Sequence, residues 1–322
     1  MAAGKKNKGL LEWVAFTVIA AITGLAGIFI PPLSFLCVIL LPIPVMLLVL
    51  RLDARYGILG LTTAGFFMLF AGPEPAMALV LIVQCGLLGI VYGLLFKNNV
   101  SSGKCIIAGI LTAAFLTIVS VAVVFALTRE NLLALGQESR LMLEQWAAAN
   151  LRMWAFDNLL PGQQADLIDN LVNMFELFIP GQLVVNSAIS AVLTYFLSRF
   201  ALGALLKYKL PPAPVFSTIY LPWYSIWGMI AGLGLTLLGD YLDYMLPARA
   251  GKNILFVLFY IYLAFGLSVA TYLFRRINFA LPVKMIFLLI AISYLPYSMA
   301  VLFLLGAVDP LINIRRLPEL KE

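Results

Sequence analysis

Four polar side chains interrupt runs that are otherwise apolar: Gln84, Glu176, Gln182 and Asn186. A side-chain amide donates and accepts hydrogen bonds at once, whereas a carboxylate accepts them or holds a cation. Inside hydrocarbon such groups are costly, so each marks a pathway, a bound ligand or a structural partner. Asn173 and Glu176 stand three apart and therefore share a helix face. Two readings stand side by side. In one, Glu176 lies a turn or two from the membrane surface and the amides make structural hydrogen bonds. In the other, Gln84, Glu176, Gln182 and Asn186 line a ligand or cation site. Asp240 and Asp243, again three apart, read as a solvated helix end or as an attraction for cations.

Other chemistries are excluded by composition. Histidine is absent, which removes the usual neutral-pH base and the commonest metal ligand. Cys37, Cys85 and Cys105 are far apart, form no C-x-x-C pair and read as small buried hydrophobes. No G-x-x-x-x-G-K-[ST] loop occurs, so any ATPase must be another chain. With no carboxylate pair or metal cluster at depth, the expectation is a protein that is not an enzyme and carries no metal or cofactor.

The elements that hold these residues must be membrane helices. The chain is 63% hydrophobic and 11% charged, with a mean hydropathy of +1.03. Soluble domains are about 45–50% apolar and about 25% charged. The apolar runs are continuous rather than alternating, which reads as helix and not as barrel strand. The net charge of +6 is explained by loop Lys and Arg, so no nucleic-acid partner is expected.

The segment from Arg51 to Lys104 sets the frame: two apolar runs joined by Gly72-Pro-Glu-Pro75, with basic residues only at its outer ends. That pattern is a membrane hairpin. Spans are expected at about Leu10–Ile30, Leu33–Leu50, Tyr56–Ala71, Ala76–Phe96, Ile106–Leu127, Leu171–Leu206, Trp223–Tyr244 and Ile254–Leu273, with a last apolar run over about Pro282–Val308. Pro42 and Pro44 should kink or break the second span, and the long sixth should tilt or break at Pro180. The charged N-terminal start reads as the flank of a retained first span rather than as a cleaved signal.

Lys5, Lys6 and Lys8 place the N-terminus in the cytoplasm. Basic residues then follow the even spans (Arg51 and Arg55; Lys97 and Lys104; Arg199 and Lys207; Arg275 and Arg276), and acidic residues collect in the outer loops. The C-terminal tail breaks this frame. After a ninth span it should lie outside, yet it carries Arg315, Arg316 and Lys321. A re-entrant or doubled segment bent at Pro296, a miscounted span or an outer tail would each account for it.

Between the fifth and sixth spans, Leu143, Trp146, Ala147, Leu151 and Trp154 recur at helical spacing, interrupted by Asn150. They predict an extracytoplasmic helix at the headgroup boundary, serving as an anchor or as a cap over a cavity. Trp223, Tyr224 and Trp227 mark an interfacial belt. Gly86, Gly89 and Gly93, and separately Gly228 and Gly232, form small-residue faces for close helix packing, within one bundle or against a partner membrane protein.

In LLPIPVMLLVLRLDARYGILGL, GPEPAMALVLIVQCGLLGIVYGLLF and the ending LLGAVDPLINIRRL, the chain resembles the YybS-like bacterial membrane proteins, a family without an assigned function. Residues 10–206, including the interfacial segment 129–169, are also similar in pattern to the substrate-binding membrane subunits of energy-coupling-factor vitamin transporters. The resemblance implies a single integral membrane domain over 1–322, in which a six-helix part is followed by additional helices over 207–322. It also implies a cavity among the first six helices and separate energising subunits. The expected architecture is an all-α polytopic bundle in the bacterial cytoplasmic membrane, with about 8–9 transmembrane helices plus the interfacial helix. The expected function is binding or transport of a small molecule; the alternative is a non-transporting envelope scaffold.

Overall fold

The computed structural model of the protein describes residues 2–153, 161–208, 210–276 and 280–315, and no strand occurs among them. Eight helical segments among the described residues are long and apolar enough to cross a membrane. The chain divides into two compact units, Met1–Ala213 and Pro214–Glu322.

In the first unit, α1 (Ala2–Phe29) ends one residue before Pro31-Pro32. The second span is α2 (Ser34–Leu40) followed by α3 (Pro42–Arg51). Pro42 and Pro44 remove two backbone donors, but they fall in the first turn of α3, where donors lack helical partners in any case. Leu41 keeps helical torsions and still donates its N–H to the Cys37 carbonyl at 2.9 Å, so the span is interrupted at one residue without parting. The hairpin is α4 (Ala54–Ala71), then α5 (Pro75–Val80), a π-helical turn over Leu81–Gly86, and α6 (Leu87–Lys97). Asp53 caps α4 by accepting the Ala54 N–H at 2.8 Å. Lys97 donates to the same carboxylate at 3.0 Å, closing the hairpin and holding the Asp53 carboxyl below its usual range. Then come α7 (Ser102–Thr128), α8 (Gln137–Met153) and α9 (Pro161–Phe200).

Two apolar cores hold this unit. One joins α1, α3, α4 and α5 through residues such as Ala20, Val45, Met68 and Ala78. The other sits among α3, α6, α7 and α9 and centres on Tyr92, Phe96 and Tyr195. Large side chains facing away from both cores, such as Phe70, Leu111 and Phe115, are exposed, as expected of a lipid-facing belt. Lipid supplies no hydrophobic drive between helices, so close packing decides association. A Cβ at Gly89 would stand 2.5 Å from the Pro42 carbonyl oxygen, and one at Gly93 would stand 2.5 Å from Val49 Cβ, which fixes α6 on α3. Gly86 is likewise covered by Leu61 of α4. The bonds Arg51–Glu12, Lys97–Asp53 and Arg199–Ser102 gather charged residues at one end of the unit, called here the basic end.

The second unit contains α10 (Ile226–Tyr241), α11 (Met245–Arg276), α12 (Leu281–Ser293) and α13 (Leu295–Ile312). Helix α11 packs on both α10 and α13. A Cβ at Gly232 would stand 3.0 Å from Leu255, and one at Gly228 3.3 Å from Leu258, across the α10–α11 contact. Gly266 and Gly306 bring α11 and α13 into backbone contact: a Cβ on either would land on a carbonyl oxygen of the other helix, Leu302 or Tyr262. The last apolar run is divided. Tyr294, at φ −107° and ψ 45°, leaves the helical region and separates α12 from α13, and Pro296 falls harmlessly in the first turn of α13. With 13 residues, α12 is about 20 Å long, short of the hydrocarbon thickness.

Candidate functional site

Helix α9 is continuous over 40 residues, about 60 Å and roughly twice the hydrocarbon thickness, and it runs through Pro180 without breaking. The half away from the basic end carries α8 against it. There Arg140 bonds Glu144 at 3.2 Å and stands 3.9 Å from both Asp169 and Glu176. These are surface pairs, worth at most about 1 kcal/mol each. Glu176 therefore faces the α8 side. It lies about 240° around the helix from Gln182, so one helix face does not carry both. Of the expected interfacial stripe on α8, Ala147 is buried and Trp146 is exposed, while the Leu151 side chain and Trp154 lie outside the described residues.

Gln84, Gln182 and Asn186 are arranged differently. Tyr92 Oη donates to the Ala191 carbonyl at 2.8 Å, and the Phe96 and Tyr195 rings stack with centroids 5.8 Å apart. Both pairs are 99 residues apart in sequence, so α6 and α9 run in the same direction in register. Carried back two turns, this register sets Gln84 near the depth of Gln182 and Leu183. Gln84 sits within the π-helical turn, where the extra residue widens the helix; such turns recur at functional sites. Gln84 and Gln182 are half-buried and Asn186 is exposed. Among the described residues, none of these three amides has a hydrogen-bond partner for its side chain. In water that would be unremarked; in a membrane span an unpaired amide is destabilising until a ligand, water or another chain satisfies it.

Toward the basic end, α9 turns a polar stripe inward. Ser187, Ser190, Thr194 and Ser198, spaced three, four and four, are all buried. Thr194 donates to the Ile39 carbonyl at 3.1 Å and Ser187 to its own helix. Tyr195 Oη and Ser198 Oγ are wholly buried without a partner among the described residues. One residue on, Arg199 donates to Ser102 Oγ at 3.3 Å and to the Pro211 carbonyl at 2.5 Å. The stripe was visible in SAISAVLTYFLS, but hydropathy reading scores Ser and Thr as nearly neutral and passes over them.

The second unit holds a polar cluster that span counting misses. Helix α13 ends at Ile312, and Asn313, with φ 49°, turns the chain back. Arg315 is thereby brought to Asp309, with Nε and Nη2 donating to Oδ2 at 3.1 and 2.7 Å. Its Nη1 donates to the Ser217 carbonyl and to Ser268 Oγ, each at 2.9 Å. Ser268 in turn donates to the Phe216 carbonyl at 2.7 Å. Arg315 is 2% and Asp309 6% exposed, and Asp309 Oδ1 has no partner among the described residues. Arg315 is thus not a free tail charge, which corrects its use as a marker of sidedness. Among the described residues, no group of three or more His, Cys, Asp or Glu is placed to hold a metal ion.

Helices of this length, a lipid-facing belt and polar groups held within the spans define a multi-pass, all-α membrane protein. The chain belongs to the family described as predicted membrane protein (DUF2232), whose model matches residues 18–310. The match takes in Gln84, Glu176, Gln182, Asn186 and Asp309 and stops short of Arg315. No curated protein and no solved structure matches the chain.

Proposed function

We propose that this protein sits in the bacterial cytoplasmic membrane with its N-terminus and basic end in the cytoplasm, and that its first unit binds and moves a small polar molecule. One observation carries the reading: Gln84, Gln182 and Asn186 are amides within spans, close in depth, with no partner among the described residues. Three amides suit a neutral ligand that offers both donors and acceptors. Glu176 and Arg140 belong to the outer mouth of the same path, where α8 leans on α9. The chain itself works without catalysis, and any energising ATPase is a separate subunit. The scaffold alternative draws less support, because Gly86, Gly89, Gly93, Gly228 and Gly232 already face helices of their own units.

Native mass spectrometry of the intact protein, extracted in mild detergent, tests the reading. A low-mass ligand should co-purify, and Gln84→Leu or Gln182→Leu should lower its occupancy by about tenfold, the equivalent of one or two hydrogen bonds to a buried partner. Glu176→Gln should lower it less. An apo protein carrying a stoichiometric protein partner instead would contradict the proposal.

A further inference from the structure

The geometry points to an aromatic gate between the proposed ligand site and the basic end, closed in this structure and pinned by Tyr92. The inference rests on the reading of Gln84 and Gln182 as a ligand site for what the gate guards; its own physical basis is separate. Helices α6 and α9 both contribute side chains to the core formed with α3 and α7. The space between them, on the basic side of Gln84, is filled by the rings of Tyr92, Phe96 and Tyr195. Tyr92 reaches furthest. Its hydroxyl passes over Gly109 of α7, at the place where a Cβ would stand, and then bonds the Ala191 carbonyl of α9. That single hydrogen bond ties α6 to α9 across a notch that only glycine leaves open.

The same region holds two groups that a permanently closed core would not retain. Tyr195 Oη and Ser198 Oγ are fully buried and have no partner among the described residues. A buried hydroxyl without a partner destabilises the state that contains it. Leu or Phe at these positions would seal the core better. The hydroxyls gain partners once the rings withdraw and water or ligand enters, so they bias the closed state toward opening. They also continue the inward stripe of α9 from Ser187 and Ser190 to Arg199 at the basic end. Tyr92 opposes that bias with its one satisfied hydroxyl. The result is a closed state held by a small margin, as a gate requires.

Thiol accessibility tests this without knowledge of the ligand. Ala113 is 1% exposed and lies one turn beyond Gly109, on the same face of α7 and on the far side of the pin. In a background with Cys37, Cys85 and Cys105 changed to Ala, A113C reports whether water reaches past the rings. A small charged methanethiosulfonate, which does not cross lipid, is applied to the full-length protein in everted membrane vesicles, so that it arrives from the basic end alone. Tyr92→Phe keeps the ring and removes only the pin, so it should raise the labelling rate of A113C about fivefold, the loss of one ordinary hydrogen bond. Gly109→Ala, which displaces the hydroxyl, should raise it at least as much. Tyr92→Phe differs by one atom and folds even if Gly109→Ala does not. Equal labelling with Tyr or Phe at position 92, whether fast or absent, would overturn the gate. Faster labelling in a protein that co-purifies no small molecule would leave the gate standing while the ligand proposal fails.

Discussion

Arg315 shows how far a residue's meaning depends on its neighbours. In the sequence it is one of a basic pair in a polar tail, and span counting assigns such residues to water. The left-handed turn at Asn313 instead returns it to Asp309, out of solvent. A buried pair of this kind contributes little net stability when complete, but removing one partner strands a charge. Arg315→Met should therefore destabilise the second unit by about 3–5 kcal/mol, and the double change Arg315→Met, Asp309→Leu should recover most of that loss. Denaturant unfolding in detergent, followed through the unit's tryptophans, measures both. Additive losses in the double variant would show that the pair is not a unit. Gln84 was legible as a polar residue at depth, but its placement in a π-helical turn was not, since an extra residue in a helix has no compositional mark. Glu176 was read together with the amides, yet the angle between positions 176 and 182 alone separates it from Gln182, and Arg140 claims it.

At the scale of elements, the helices were legible because continuous apolar runs of sufficient length leave the backbone no other way to satisfy itself in lipid. The interruption before Pro42 was legible from a local rule as well: proline removes donors. Pro180 carried the same signal and had no such effect, because α9 simply continues through it. A bend in the last apolar run was one of three readings open in the sequence, placed at Pro296; the break falls two residues earlier, at Tyr294, because Pro296 sits in the first turn of α13, where its missing donor costs nothing. Helix contacts turn on glycine. Gly306→Ala should push α13 off α11, costing about 1–3 kcal/mol through overpacking, because its new Cβ meets the Tyr262 carbonyl. Gly234→Ala meets nothing within 4 Å and should be neutral or stabilising by up to about 1 kcal/mol. Thermal unfolding of the two variants side by side distinguishes packing from propensity; equal effects would contradict the close contact of α11 and α13.

For the whole molecule, two units share one chain and show different polar chemistry. The first carries amides without partners among the described residues at Gln84, Gln182 and Asn186, with buried rings and hydroxyls on the side toward the basic end. The second buries a charge pair against an otherwise apolar set of helices. Composition made the membrane legible at once, and family membership agrees with it. The proposed function was less legible, because it rests on the register between α6 and α9, which no local pattern encodes. The most direct test is a cryo-electron microscopy structure of the protein extracted with its native lipids. The account predicts density for a small polar molecule between α6 and α9, within hydrogen-bond distance of Gln84 and Gln182. Those side chains bonded only to one another, or covered by a helix of a second protein with no small molecule between, would contradict it.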